Sequence, residues 1–304
     1  SDGGFVIAWM SDRQDGDNGG IYGQRYDVNG VAAGNEFLVN TYTNNAQEAP
    51  AVVGLSDGGF VVTWHGNTDK EGGGGYGVTG QRYGADGSVQ GARFLVNSSW
   101  DDNQSNAAID SLDGGGFVVV WQSDNTDGSS WGVYGQRYGA DASSQGGEFL
   151  INTTTSNEQS EAAVAGLSGG GFVVTWRSNG QDGDSWGIYG QRYGADGVAT
   201  GNEFLVNTDT KYSQNLPAVV GLSDGGFLIA WGGQPDDGYG DGLYGQRYGA
   251  DGSAQGTQFL INSNTNGYQG YPSIAASADG GFVVTWQSDQ GQDGSDSGIY
   301  AQVF

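Results

Sequence analysis

Apolar residues in this chain come in short runs separated by glycine-rich and acidic turns, and the runs repeat. The phrase Gly-Phe-Val-Val-Thr-Trp, or a close variant, ends at Trp9, Trp64, Trp121, Trp176, Trp231 and Trp286, at spacings of 55, 57, 55, 55 and 55 residues. A second phrase, Ile-Tyr-Gly-Gln-Arg-Tyr, falls at 21–26, 78–83, 133–138, 188–193 and 243–248, with a degraded sixth copy at 299–304. A third, Phe-Leu-Val/Ile-Asn, begins at Phe37, Phe94, Phe149, Phe204 and Phe259. A fourth, of the type Ala-Val-Val-Gly-Leu, ends at Leu55, Leu112, Leu167 and Leu222, and at Ser277 in the last copy.

Each phrase is rich in β-branched or aromatic residues and bounded by Gly, Asp, Asn or Ser, which predicts strands joined by turns. None has a 3.6-residue period or the length of a helix. In chain order within one repeat the strands are A (Ala-Val-Val-Gly-Leu), B (Phe-Val-Val-Thr-Trp), C (Ile-Tyr-Gly-Gln-Arg-Tyr) and D (Phe-Leu-Val-Asn). Four strands in a repeat of this length make one blade of a β-propeller. Strand B is apolar on both faces, as a strand sandwiched between neighbouring blades must be. Strand A is built from small residues, as suits an innermost strand. The expected fold is therefore an all-β, six-bladed β-propeller in a single domain, 1–304. Its blades span 1–40, 50–97, 107–152, 162–207, 217–262 and 272–304. Blade 1 lacks strand A and blade 6 lacks strand D, so 22 strands are expected and the chain reads as part of a longer protein.

Composition narrows the function. The 9 Trp, 16 Tyr and 12 Phe supply a core and exclude a disordered chain despite 60 Gly. A net charge of -25 argues against nucleic acid and anionic membrane surfaces as partners. No apolar run is long enough for membrane insertion as a helix. With no Cys there is no disulfide framework or thiol nucleophile, and the single His, His65, is the sole imidazole for catalysis.

The run Leu-Ser-Asp-Gly-Gly-Phe-Val-Val-Thr-Trp, then Asp-Gly, Ile-Tyr-Gly-Gln-Arg-Tyr and Phe-Leu-Val-Asn, resembles repeats of large secreted, adhesin-like bacterial proteins. Those belong to the type I-secreted, haemolysin-type calcium-binding group. The resemblance covers the whole chain and implies a secreted or cell-surface location, although the Gly-Gly-x-Gly-x-Asp nonapeptide of that group does not occur. The blade rhythm is also similar to that of sialidases. Their Asp-box is not matched, because the corresponding turn, Gly84-Ala85-Asp86-Gly87, lacks the following Thr-Trp.

In an antiparallel meander the A–B and C–D turns share one end of the blade, and the B–C and D–A loops share the other. The turn end is repetitive, and its Asp-Gly and Gly-Gly pairs meet the demands of left-handed turn positions. Arg25, Arg82, Arg137, Arg192 and Arg247 recur at one position of strand C, which predicts contacts between blades rather than substrate binding. The loop end varies. Its B–C loops carry Asp12, Asp15 and Asp17; Asp124 and Asp127; Asp182 and Asp184; Asp236, Asp237 and Asp241; and Asp289, Asp293 and Asp296. Carboxylates so spaced on glycine-containing loops suit calcium, while a solvated acidic face is the other reading. Blade 2 departs from this pattern, with Lys70 between Asp69 and Glu71. Aromatics at the same end, Trp100, Trp131, Trp186, Tyr212, Tyr239 and Tyr268 with Tyr42, Tyr76 and Tyr271, are candidates for stacking on sugar rings, or else pack down over blade edges. Asp110 stands alone on an innermost strand as an ion ligand or a hydrated polar residue.

These features predict a non-catalytic extracellular binding or scaffold module. Its expected partner is a glycan or cell-surface ligand, with neighbouring domains or further copies of the protein as other partners. No catalytic residue is assigned. A sialidase-like glycoside hydrolase is the alternative, since that chemistry needs two carboxylates. Calcium binding by the loops predicts a midpoint unfolding temperature that rises more with calcium than with magnesium or sodium at matched ionic strength. Asp15→Asn or Asp182→Asn should reduce that rise. Equal stabilisation by every salt would assign the loops to a solvated acidic face.

Overall fold

A computed structural model describes residues 3–67, 75–98, 102–233, 242–265, 267–289, 294 and 296–304. Among these residues every regular element is a strand, and there are 22. They form six antiparallel sheets, four of four strands and two of three. The chain is an all-β propeller of six blades, with the first and last blades one strand short. No helix is long and apolar enough to cross a membrane.

The strands fall into two compact units. The unit Ser1–Leu150 holds three blades: β1 (Phe5–Asp12), β2 (Gly19–Tyr26) and β3 (Phe37–Leu38); β4 (Gln47–Gly54), β5 (Phe60–Asn67), β6 (Tyr76–Tyr83) and β7 (Val89–Leu95); and β8 (Gln104–Ser111), β9 (Phe117–Asp124), β10 (Trp131–Tyr138) and β11 (Ser144–Leu150). The unit Ile151–Phe304 holds the other three: β12 (Gln159–Gly166), β13 (Phe172–Asn179), β14 (Trp186–Tyr193) and β15 (Ala199–Leu205); β16 (Gln214–Gly221), β17 (Phe227–Gly233), β18 (Gly242–Tyr248) and β19 (Ala254–Leu260); and β20 (Gln269–Ala276), β21 (Phe282–Asp289) and β22 (Ser297–Val303).

The two-sided apolar pattern of strand B has the consequence expected of it. In β5, Phe60, Val62 and Trp64 join Ile21 and Val39 of blade 1 in one core, while Val61 joins Phe117, Val119 and Trp121 of blade 3 in another. The second unit repeats the arrangement, with Val173 packing among Phe227, Ile229 and Trp231, and Leu228 among Phe282, Val284 and Trp286. Trp121, Trp176 and Trp231 are fully buried. Truncating such a side chain to Ala costs roughly 3–5 kcal/mol.

Two polar devices fix where strands end. A buried Asn closes each strand D: Asn40, Asn97, Asn207 and Asn262 accept the backbone N–H of Ile21, Val78, Ile188 and Leu243 at 2.7–2.8 Å. The same side chain donates forward to a buried Gln that opens the next blade, Asn40 to Gln47, Asn97 to Gln104, Asn152 to Gln159 and Asn207 to Gln214, at 2.9–3.2 Å. At the turn end the repeated arginines make the expected contacts between blades. Arg25 donates to the Asp86 carbonyl, Arg82 Nε to the Ala140 carbonyl at 2.7 Å, and Arg192 to the Ala250 and Asp251 carbonyls. Arg82 and Arg247 also pair with Asp57 and Asp224 of their own blades.

Strand D crosses strand C over a glycine. A Cβ on Gly23, Gly80, Gly190 or Gly245 would fall 2.7, 2.5, 2.7 or 2.8 Å from the ring of Phe37, Phe94, Phe204 or Phe259. The same position in blade 6 is Ala301, and no strand D lies beside it among the described residues. Gly190→Ala should therefore destabilise the protein by about 1–3 kcal/mol in urea unfolding, through overpacking. Adding Phe204→Leu should recover part of that loss, because the clash is with the ring.

Candidate functional site

The loop end is where the blades differ, and its carboxylates have definite occupations. Asp15 and Asp182 hold equivalent places. Each lies against the first turn of strand C, where a Cβ on Gly20 or Gly187 would come within 2.5 Å of the carboxylate. Each also accepts from the amide of Asn40 or Asn207, at 3.3 and 3.4 Å. Asp127 packs on Gly132 in the same way and accepts Ser129 N–H at 3.1 Å. Asp17 and Asp184 reach the following D–A loop and accept the backbone N–H of Asn45 at 2.7 Å and of Tyr212 at 3.0 Å. Asp289 accepts from Gln287 and Ser297 at 3.1 and 2.8 Å. Asp12 is exposed beside Arg13, Asp124 is half-buried at the end of β9, and Asp296 is exposed. Among the described residues no three His, Asp or Glu side chains gather as a metal-binding set. Asp236, Asp237, Asp241 and Asp293 lie outside the described residues, as do Asp69, Lys70, Glu71, Trp100 and Tyr239. Asp110 is half-buried and accepts Ser111 N–H at 2.8 Å.

Backbone conformation marks two further positions at this end. The D–A loops hold a left-handed residue at Asn45, Asp102, Asn157, Tyr212 and Gly267. Asn, Asp and Gly adopt that conformation readily, whereas a larger side chain raises its cost by roughly 1–2 kcal/mol. Tyr212 is the exception in the series, with φ 62° and 42% of the residue exposed. The second position is a bulge in the first half of every strand A, at Ala49, Asn106, Glu161, Leu216 and Tyr271, with φ between 47° and 54°. Residues at this bulge differ in all five copies.

Blades 4 and 5 assemble a polar group around that bulge. Arg177, the residue after the strand B Trp, pairs through Nη1 with Glu161 at 3.1 Å and through Nη2 with Glu158 at 3.7 Å. Its Nε donates to Ser160 Oγ at 3.0 Å and its Nη1 to Asn215 Oδ1 at 3.3 Å. The guanidinium lies 4.1 Å from the ring centroid of Trp186, a cation–π contact. The second oxygen of Glu161 accepts Leu216 N–H, at the next bulge, at 2.9 Å. Tyr212 is tied to the Trp186 loop through Asp184, and Ser185 and Ser213 share a hydrogen bond at 2.8 Å. Of the sequence candidates, Trp186, Tyr212, Asp182 and Asp184 thus share one loop region. Trp131 is half-buried at the start of β10 in the other unit, and Tyr268 packs against Tyr271 in blade 6.

Glu158, Glu161 and Arg177 were not among the sequence candidates. The signal for them is divergence at the position after the strand B Trp, which reads Met10, His65, Gln122, Arg177, Gly232 and Gln287. His65 does in blade 2 what Glu161 does in blade 4. Its Nδ1 accepts Asn106 N–H, at the bulge of blade 3, at 3.2 Å, and its Nε2 lies 3.8 Å from Glu48. Tyr76 meets the imidazole edge-on. Burial holds the His65 pKa below the usual imidazole value, against the opposing pull of Glu48.

No family model matches this chain, and no curated protein matches it. The resemblance to haemolysin-type adhesin repeats therefore has no support beyond the residues that carry it. Solved structures do match, at low identity. A protein of unknown function from Dyadobacter fermentans is 15% identical over 99% of this chain and 90% of its own, with a TM-score of 0.64. The Penicillium chrysogenum α-L-arabinanase, solved with arabinobiose, is 11% identical over 98% of this chain and 92% of its own, at 0.59. A Hadza microbial sialidase is 12% identical over 95% of this chain and 61% of its own, at 0.57. These likenesses show the fold, and they correct the expectation that the chain is not an enzyme. That expectation rested on repetition and on the scarcity of His and Cys. Proteins named as arabinanase and sialidase are built on the same fold, and glycosidic cleavage needs only two carboxylates.

The His65 contact gives a pH dependence of definite sign. The folded state keeps the imidazole neutral, so the unfolded chain takes up the proton first. This contribution is constant above the ordinary imidazole range and stability is lost as pH falls below about 6.5, before most carboxylates titrate. Midpoint unfolding temperature should drop between pH 7 and pH 5. His65→Gln, which installs the residue of blades 3 and 6, should flatten that drop. An unchanged slope in the variant would show that His65 is not its source.

Proposed function

We propose that this chain engages carbohydrate at the loop end of its blades, on the surface built by Trp186, Tyr212 and the Glu158–Arg177–Glu161 group. The observation that carries this reading is Tyr212. An aromatic ring is presented to solvent from a backbone conformation that Asn or Gly would adopt at lower cost, and Asp184 holds it there. Strain of this kind is retained where a side chain has work to do outside the fold. Beside it lie an indole, two carboxylates, an amide and hydroxyls, which is the mixture of flat apolar faces and hydrogen-bonding groups that sugars require. The arabinanase and sialidase likenesses point the same way. An extracellular setting belongs to this reading.

Glycoside hydrolysis at the same surface is a second reading. It is supported by two carboxylates held on a single guanidinium, the number that such chemistry uses. Release of reducing ends from arabinan, xylan or sialyllactose, abolished by Glu158→Gln or Glu161→Gln, is the result that would establish it.

Binding is tested by titrating neutral oligosaccharides, with and without calcium, and following tryptophan fluorescence. Trp186→Ala should weaken binding at least tenfold. Tyr212→Asn, which installs the residue of two equivalent loops, should raise stability by roughly 1 kcal/mol through relief of backbone strain while weakening binding. A Tyr212→Asn protein that is no more stable and binds as the parent does would remove the basis of the proposal.

A further inference from the structure

We infer that the bulge of β20 is a separate sugar subsite, in which the Tyr271 backbone N–H donates to a hydroxyl oxygen of a neutral sugar lying on the Tyr268–Tyr271 pair. This rests on the carbohydrate reading above and adds a second place and a ligand class to it.

The argument comes from comparing bulges that the repeat makes equivalent. In blade 3 the bulge N–H, that of Asn106, is accepted by His65 of blade 2. In blade 5 the bulge N–H, that of Leu216, is accepted by Glu161 of blade 4. The acceptor comes each time from the preceding blade, from the residue after the strand B Trp or from the preceding bulge residue. For Tyr271 of blade 6 those two positions are Gly232 and Leu216, and neither side chain can accept a hydrogen bond. Crowding does not explain the glycine. A Cβ on Gly232 would lie 3.6 Å from its nearest neighbours, the Asn215 and Gln269 carbonyls, so a side chain has room to start there. Blades 2 and 4 fill this place with His65 and Arg177, whereas among the described residues blade 5 offers the Tyr271 N–H no side-chain acceptor at either equivalent position.

The surroundings describe the acceptor that this N–H would take. Tyr271 is 60% exposed and left-handed, with φ 54°, so its ring too is presented at a cost in backbone strain. Tyr268 meets it edge-on, with centroids 6.2 Å apart. Gly270 allows this packing, since a Cβ there would fall 2.2 Å from the Tyr268 hydroxyl. One backbone donor beside an aromatic pair suits a hydroxylated ring. The chain carries a net charge of -25, and Arg177, the cation of the neighbouring group, is already engaged by two carboxylates. An anionic sugar would meet repulsion from the net negative chain.

The test reads amide resonances of the whole 304-residue chain during titration with arabinotriose, xylotriose and maltotriose, with sialyllactose as the anionic probe. At least one neutral trisaccharide should shift the Tyr271 amide, and sialyllactose should not. Leu216→Glu places in blade 5 the residue that Glu161 supplies in blade 4. It should engage the Tyr271 N–H, keep or raise the midpoint unfolding temperature, and weaken neutral-sugar binding at this subsite at least tenfold, whereas Leu216→Met should bind as the parent does. Shifts at Trp186 and Tyr212 with the Tyr271 amide unmoved would overturn this inference and leave the carbohydrate reading standing. A Tyr271 shift with sialyllactose alone would overturn the neutral-ligand assignment. No shift anywhere with any sugar would overturn both.

Discussion

The buried hydrogen bonds between the Asn that ends strand D and the Gln that begins the next strand A are what the rest of the structure depends on. At Asn40, Oδ1 accepts the Ile21 N–H of its own blade, and Nδ2 donates to Gln47 of the next and to the Tyr42 carbonyl between them. Gln47 in turn donates to the Asn44 and Asn45 carbonyls. Asn207 and Gln214 repeat the arrangement in the second unit. Both crossovers are thereby fixed at each end by two amide side chains. Removing one would leave buried donors and acceptors unpaired, at about 1–3 kcal/mol each. No apolar contact could substitute, because these groups belong to the backbone at the point where the chain leaves one sheet for the next.

Fixing the crossover with two residues leaves others near it free to vary. The left-handed loop residue and the strand A bulge lie beside the pair, and both keep their conformation while their side chains change from Asn45 to Tyr212 and from Ala49 to Tyr271. At the turn end the opposite holds. There the arginines are tied to carbonyls of neighbouring turns, and the same side chains recur in nearly every blade. The repeat thus separates a conserved-in-copy end that joins blades from a varied end that can meet ligands. His65 and Arg177 show the two roles overlapping, since His65 closes a bulge on the next blade and Arg177 holds the Glu161 that closes another, while each supplies a distinctive polar group.

Much of this was legible in the sequence. Strand B was recognisable from Phe60 through Trp64 because two apolar faces in five residues admit few alternatives, and the strand C arginines were recognisable as structural from their recurrence. The bulge was not. Strand A reads as Ala51–Leu55 by its small apolar residues, yet it begins at Gln47, and its first half is polar and irregular. Glu161 and Tyr271 therefore looked like loop residues. The contacts of the loop aspartates were not legible for a related reason. Their spacing on glycine-containing loops suits a cation, but in blades 1 and 4 the same spacing places one carboxylate on a strand C glycine and the other on a backbone N–H of the next loop. Spacing alone does not distinguish an oxygen aimed at a metal from one aimed at an amide.

The central claim is that a uniform scaffold presents a varied, sugar-binding surface at its loop end. The most direct measurement is a crystal structure of the chain soaked with a neutral oligosaccharide. Electron density for sugar is predicted over Trp186 and Tyr212, or on Tyr271 beside Gly232. Sugar bound instead at the turn end, among the arginines and the Asp-Gly turns, would contradict the account.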